Sequence, residues 1–230
     1  RPVLNTAPQS QPPSAARSMD VAPTTLSEHA MPELSCLWAR DQHHALVGGS
    51  LITDDNQRVG CVFATTTGGE QWTMLPAVVP DGTIMSIAGH DRHLWAVGHL
   101  DDRLTGDLFL LTSNDHGQTW LRAPLTLPTS LTAEPPTHAE IALIDGASAI
   151  CRLRFASQPT AETLIATANG GHQWHCIEQR ALGFPPYHFE RTGSDNWGWR
   201  VRDGIIERKD PALGLWVPTH TQPIRHPDMG

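Results

Sequence analysis

Thr65-Thr66-Thr67-Gly68-Gly69-Glu70-Gln71-Trp72 decides the fold of this chain, because the same pattern returns twice. It returns as Ser113-Asn114-Asp115-His116-Gly117-Gln118-Thr119-Trp120 and as Thr167-Ala168-Asn169-Gly170-Gly171-His172-Gln173-Trp174. Each copy reads hydroxyl, any, Asp-like, any, Gly, any, any, Trp, and each follows a run of apolar or hydroxyl residues. The tryptophans recur at intervals of 48 and 54 residues, the kind of period that marks a repeat architecture. The pattern predicts a tight turn between two antiparallel strands. Thr67, Asp115 and Asn169 each place a short side-chain oxygen where it can fold back onto backbone N–H groups. Gly69, Gly117 and Gly171 supply a positive φ without steric cost. Trp72, Trp120 and Trp174 then open the outgoing strand, where a large ring can seal one sheet against the next.

Working outward, a second strand recurs upstream of each turn. It reads His44-Ala45-Leu46-Val47-Gly48-Gly49, then His93-Leu94-Trp95-Ala96-Val97-Gly98, then residues 148–154, then Gly198-Trp199-Arg200-Val201-Arg202-Asp203-Gly204. The fourth unit lacks the turn pattern but carries Leu213-Gly214-Leu215-Trp216, with a Trp at the expected place. Four units are therefore expected, over 33–76, 83–125, 138–178 and 187–218, each about the size of a four-stranded propeller blade. Pro- and Gly-rich joints at 76–82, 124–136 and 183–186 separate them, as suits residues that cannot donate into a ladder. No stretch keeps a helical period. The expected fold is all-β and propeller-like, with about four antiparallel four-stranded blades over residues 32–218. Residues 1–31 read as a Pro/Ser/Ala-rich disordered leader. Residues 219–230 read as a C-terminal tail that could supply a closing strand.

These residues resemble the Asp-box, or BNR, repeat of sialidases, sortilin-type receptors and photosystem-stability/assembly-factor-like propellers. The combination of Leu94-Trp95-Ala96-Val97-Gly98 with Gly-x-x-Trp turn endings is most similar to the last group. That resemblance covers roughly residues 33–218 and implies a non-catalytic propeller that holds other proteins. It departs from those relatives in size, since they usually carry six or seven blades and four are counted here. A self-contained small ring, an open arc and part of a larger ring completed by another chain all remain open at this point.

Composition bounds the partners. A formal net charge of −8 argues against nucleic acid, because neutralising phosphates needs clustered cations. No apolar run approaches the roughly 18 residues of a membrane span. The leader is what a removed signal would leave, so an extracytoplasmic location such as a bacterial periplasm is expected. Cys36 and Cys61 fall on the first and third strands of one unit, Cys151 and Cys176 on the second and fourth of another. Strands two apart lie about 9–10 Å from each other, beyond disulfide reach, so free thiols are expected. There is no Cys-x-x-Cys.

The candidate binding residues are cationic and aromatic. Arg152 and Arg154, with Arg200 and Arg202, occupy second strands at positions aligned by eye with the small or apolar residues Leu46, Gly48, Ala96 and Gly98. Residues two apart share a face, so four guanidinium groups in similar register would form an anionic docking site, unless internal carboxylates pair them. Trp197 and Trp199 share a face behind them, as core or as partner anchors. His90, His93 and His99 near Asp91, Asp101 and Asp102 match no metal template, and no metal or cofactor is expected. A sialidase would need a Tyr nucleophile and a Phe/Tyr-Arg-Ile-Pro motif before the first repeat. The single Tyr187, with Glu190, has no such motif upstream, and Pro223-Ile224-Arg225-His226-Pro227 stands at the wrong end. The chain is thus expected to be no enzyme but an assembly factor or accessory subunit, binding a protein with an acidic patch. A glycan-processing or glycan-binding propeller and an inhibitor or immunity protein are the alternatives.

Overall fold

The computed structural model describes residues 17–18, 31–53, 56–101, 107–131, 134–181, 199–202, 205–209 and 214–219. In chain order the strands are β1 (Arg17–Ser18), β2 (Met31–Ala39), β3 (Ala45–Ile52), β4 (Arg58–Thr65), β5 (Thr73–Met74) and β6 (Val79–Pro80). They continue as β7 (Gly82–His90), β8 (His93–Leu100), β9 (Leu108–Ser113), β10 (Leu121–Pro124), β11 (Pro136–Leu143) and β12 (Ala149–Phe155). The last are β13 (Ala161–Thr167), β14 (His175–Ala181), β15 (Trp199–Arg202), β16 (Ile205–Lys209) and β17 (Trp216–Pro218). One short 3-10 turn, Thr129–Leu131, is the only helical element among the described residues.

The strands form four antiparallel sheets, each an up-and-down meander. The first runs β2-β3-β4 and then splits its outer strand, since β5 and β6 both pair with β4 on either side of a break at 75–78. The second runs β7-β8-β9-β10 and is extended by β1, which pairs Arg17 with Arg122 and Ser18 with Leu121. Two residues of the expected leader therefore cover an outer sheet edge, which satisfies backbone groups that would otherwise template aggregation. The third runs β11-β12-β13-β14. The fourth shows β15-β16-β17, three strands where four were expected. Any inner strand of that unit falls in 182–198, outside the described residues, as do Trp197, Tyr187 and residues 220–230.

Sheets pack face to face, with inner strands together: β2 lies against β7, β7 against β11. Three apolar cores result. Leu46, Val62, Ile84, Ile87 and Phe109 lie between the first and second sheets. Trp95, Val97, Leu110, Ile141 and Leu153 lie between the second and third. Leu34, Val47, Phe63, Trp199 and Ile206 lie between the fourth and the first. Burying one such large side chain stabilises by roughly 2–3 kcal/mol. Gly48 permits the close approach of β7, because a Cβ there would meet Ile84, Ile87 and Cys36 within 3 Å.

Burial patterns record which faces are covered. β3 is buried at nearly every position, as a sheet sandwiched on both sides must be. β12 instead alternates buried and half-buried, with Ile150, Arg152 and Arg154 on its less covered face. The spatial order is fourth, first, second, third. The last unit packs against the first, as a propeller-like arrangement requires. No core between the third and fourth sheets lies among the described residues.

Candidate functional site

The three repeated turns are built alike, and the hydroxyl at their first position is their hub. Thr65, Ser113 and Thr167 are buried, and each accepts the N–H of the glycine four residues on, Gly69, Gly117 and Gly171, at 3.0, 2.9 and 3.2 Å. The Asp-like residue closes the far side. Thr67 Oγ1 accepts the Gln71 N–H at 2.9 Å, Asp115 Oδ1 the Thr119 N–H at 2.9 Å, and Asn169 Oδ1 the Gln173 N–H at 3.0 Å. Asp115 also accepts the Thr119 hydroxyl at 2.6 Å and the Ser113 hydroxyl at 2.8 Å. Slight burial pushes its carboxyl up, but these bonds outweigh it and hold the group below its usual range.

Gly171 has φ +83°, and a Cβ there would collide with Leu110 and approach Trp95 of the second sheet. The turn thus needs glycine twice over, for its backbone and for the neighbour it touches. Trp120 returns its indole N–H to the Gly117 carbonyl at 3.0 Å. Trp72 meets Trp199 edge to face, with ring centroids 6.0 Å apart.

Each turn is also tied to the first hairpin of its own sheet. Gly68 donates its N–H to the His43 carbonyl at 3.0 Å, His116 to Arg92 at 3.0 Å, and Gly170 to Ala147 at 2.8 Å. Two of these first hairpins are closed by a carboxylate of their own. Asp41 Oδ1 accepts from His43 and His44, and Asp145 Oδ1 from Ala147 and Ser148. The N–H groups of Ala147 and Ser148 hold the Asp145 carboxyl low. At Asp41 the His44 ring and the same kind of N–H bonds overcome the upward push of burial. Six turns therefore stand at one end of the molecule, paired by a backbone bond within each of three sheets. Sequence reasoning found one member of each pair, the repeated turn, and missed the backbone tie that joins it to the other.

Strand register places the backbone of the four expected arginines, and the side chains of Arg200 and Arg202 lie outside the described residues. Thr65 faces Ala45, Ser113 faces Leu94 and Thr167 faces Ala149 across the second and third strands. Arg152 therefore corresponds to Gly48 and Val97, and Arg154 to Ser50 and His99, a shift of one or two residues from the alignment by eye. In the fourth sheet Trp216 faces Lys209 and Trp199 faces Arg208, so Trp199 takes the place of Leu46, Trp95 and Ile150. Arg200 and Arg202 then match Cys151 and Leu153, one residue out of step with Arg152 and Arg154. The two pairs therefore stand one residue apart in backbone register.

Arg152 pairs within its own sheet, donating to Glu140 and lying 3.6 Å from Glu162, itself only 5% exposed. Half-buried Arg154 stands beside His138. Burial first, then the Arg154 charge, lowers the proton affinity of that imidazole against the opposing pull of Glu140. Trp199 is 1% exposed, so it serves as a core ring between the fourth and first sheets and not as a surface anchor.

The histidines around β8 separate as well. His90 and His93 face each other at the turn end. His99 stands at the far end of the strand, 2.8 Å from Asp101. No group of three potential metal ligands occurs among the described residues. All four cysteines are free. Cys151 and Cys176 both face Ile165, from opposite sides of β13, which confirms that an intervening strand holds them apart.

No family model and no curated protein matches this chain. Among solved structures, Trypanosoma rangeli sialidase superposes with a TM-score of 0.45 at 11% identity. That superposition covers 61% of this chain and 24% of the sialidase chain, so it spans about a quarter of that protein's length. A likeness of that depth assigns neither activity nor substrate.

Proposed function

We propose that this chain is a non-catalytic, propeller-like protein that holds another protein, as an assembly factor or accessory subunit, with its turn-bearing end as the docking face. The observation that carries this reading is the triple backbone tie from the repeated turns to the first hairpins. It pins each repeated turn to the first hairpin of its own sheet, and a pre-ordered surface loses little conformational freedom on binding. The polar groups of the turns are spent on closing them, so their role is architectural. Exposed side chains project from the same turns, among them His43, His116, His172 and the 57% exposed Ile144.

The test is affinity purification of the tagged full chain from its native source, alongside an Ile144→Asp/His172→Glu double variant. The variant is expected to lose about tenfold or more of the recovered partner, a loss of about 1.4 kcal/mol or more, with its thermal midpoint unchanged. Equal recovery would overturn the assignment of this face. Turnover of a fluorogenic sialoside by the pure protein would overturn the non-catalytic reading itself.

A further inference from the structure

The outer strands of the sheets are not finished alike. β10 of the second sheet is covered, because β1 adds to it and pairs Arg17 with Arg122 and Ser18 with Leu121. β14 of the third sheet has no such cover: among the described residues it pairs with β13 alone. It is also longer, seven residues against four for β10. His175, Cys176, Ile177 and Gln179 are exposed along it, Ile177 by 55%. An open row of backbone N–H and C=O groups is a template for another strand, and the cover on β10 shows that an outer strand of this fold accepts one.

The sequence of β14 says what fits there. Ile177-Glu178-Gln179-Arg180-Ala181 reads apolar, acid, amide, base, apolar, and it reads the same from the other end with the charges exchanged. Laid antiparallel on a copy of itself with Gln179 on a two-fold axis, Glu178 stands opposite Arg180, Arg180 opposite Glu178, and Ile177 opposite Ala181. Opposite charges directly across an antiparallel pair stabilise it, and like charges there destabilise it. An axis moved to Glu178 or to Arg180 would set that residue against its own copy, so the charges select the register centred on Gln179. The ladder to β13 runs unbroken from Glu178 to Ala181, which puts the central pairs on a regular stretch. The register shift beside Leu164 leaves Ile177 as a bulge at the end of that stretch.

We propose that two copies of this chain pair antiparallel along β14 about Gln179, joining their third sheets into one continuous sheet. The contact is isologous, as a two-fold contact between identical chains must be. A strand pair of this length is small beside the roughly 1,200 Å² that a stable interface buries, so the dimer forms and dissociates with concentration. The inference stands apart from the docking reading above, since it uses a sheet edge and none of the repeated turns.

Sedimentation equilibrium of the full chain, from micromolar to near-millimolar concentration, tests the pairing. The expected result is a monomer–dimer equilibrium. Glu178→Arg or Arg180→Glu alone sets like charges opposite one another and is expected to weaken it about tenfold, and the double variant to restore it. Cross-linking reads the register separately. Residues opposite each other in an antiparallel pair have Cα atoms about 4.5–5.5 Å apart, within disulfide reach. Gln179→Cys in a Cys176→Ser background is therefore expected to give a disulfide-linked dimer on mild oxidation with diamide. The native Cys176 is also exposed, but in this register it stands about 20 Å along the strand from its counterpart, and no such dimer is expected from it. Where a charge variant fails to fold, the cross-linking pair decides the question by itself. A monomer at every concentration, a dimer indifferent to both reversals, or cross-linking through Cys176 as fast as through the engineered site would each overturn the proposal.

Discussion

Thr67, Asp115 and Asn169 do one job with three chemistries, since each closes its turn by accepting the N–H four residues on. Only Asp115 makes that closure depend on protons. Its carboxyl is held below the ordinary value of 3.8, so its contribution is complete above that value and is lost as pH falls through the lowered folded value. Asp115→Asn keeps the acceptor, as the third copy shows. The expected outcome is a fold retained at pH 7 with a cost of about 1 kcal/mol for the exposed, charge-assisted bonds. The gap to wild type then narrows as the pH falls below 3.8, because the wild-type carboxyl takes up its proton as the pH drops. Urea midpoints between pH 7 and 3 measure this, and a gap constant across that range would contradict it.

Elements decide what the cysteines can do. Cys36 and Cys61 belong to the strands either side of β3, and Cys151 and Cys176 to those either side of β13. Burial pushes the thiols of Cys36, Cys61 and Cys151 up to about 12, whereas Cys176 is exposed on the outer strand β14. Only the thiolate is nucleophilic, so native protein treated with a maleimide at pH 7.5 is expected to label at Cys176 alone. The other three follow on unfolding. Peptide mass mapping reads the result, and rapid native labelling of Cys151 would mean that the third sheet opens. The same register argument sets the backbones of the two arginine pairs one residue out of step. Pairing across β12 and β15 fixes the phase of each strand independently, and the two phases differ by one.

At the scale of the molecule, Trp199 is the joint between the last sheet and the first. It fills the core with Leu34, Val47 and Phe63 and meets Trp72 edge to face. Arg208 adds one bond across the same joint, to the Gly68 carbonyl. Trp199→Ala is expected to cost about 3–5 kcal/mol, the usual penalty for emptying a buried aromatic site. Hydrogen exchange should show the loss first in β15–β17 and β2, with β12 and β13 protected longest, because the second and third sheets keep their own core. Uniform loss across all sheets would instead mark the four as one cooperative unit.

The turns, the meandering strands and their fourfold recurrence were legible in the chain itself. A hydroxyl, a glycine and a tryptophan at fixed spacing act within eight residues, and short-range chemistry is written in short-range order. The place of Trp216 in a unit lacking the turn pattern was legible for the same reason, since it rests on spacing alone. What only the folded molecule decided is anything that depends on strand register or on contacts between units. Arg152 turned to Glu140 and Glu162, and Trp199 to the first sheet's core. Those outcomes depend on pairings between residues ten or more positions apart, where a shift of one residue reverses every face and leaves no trace in the local sequence.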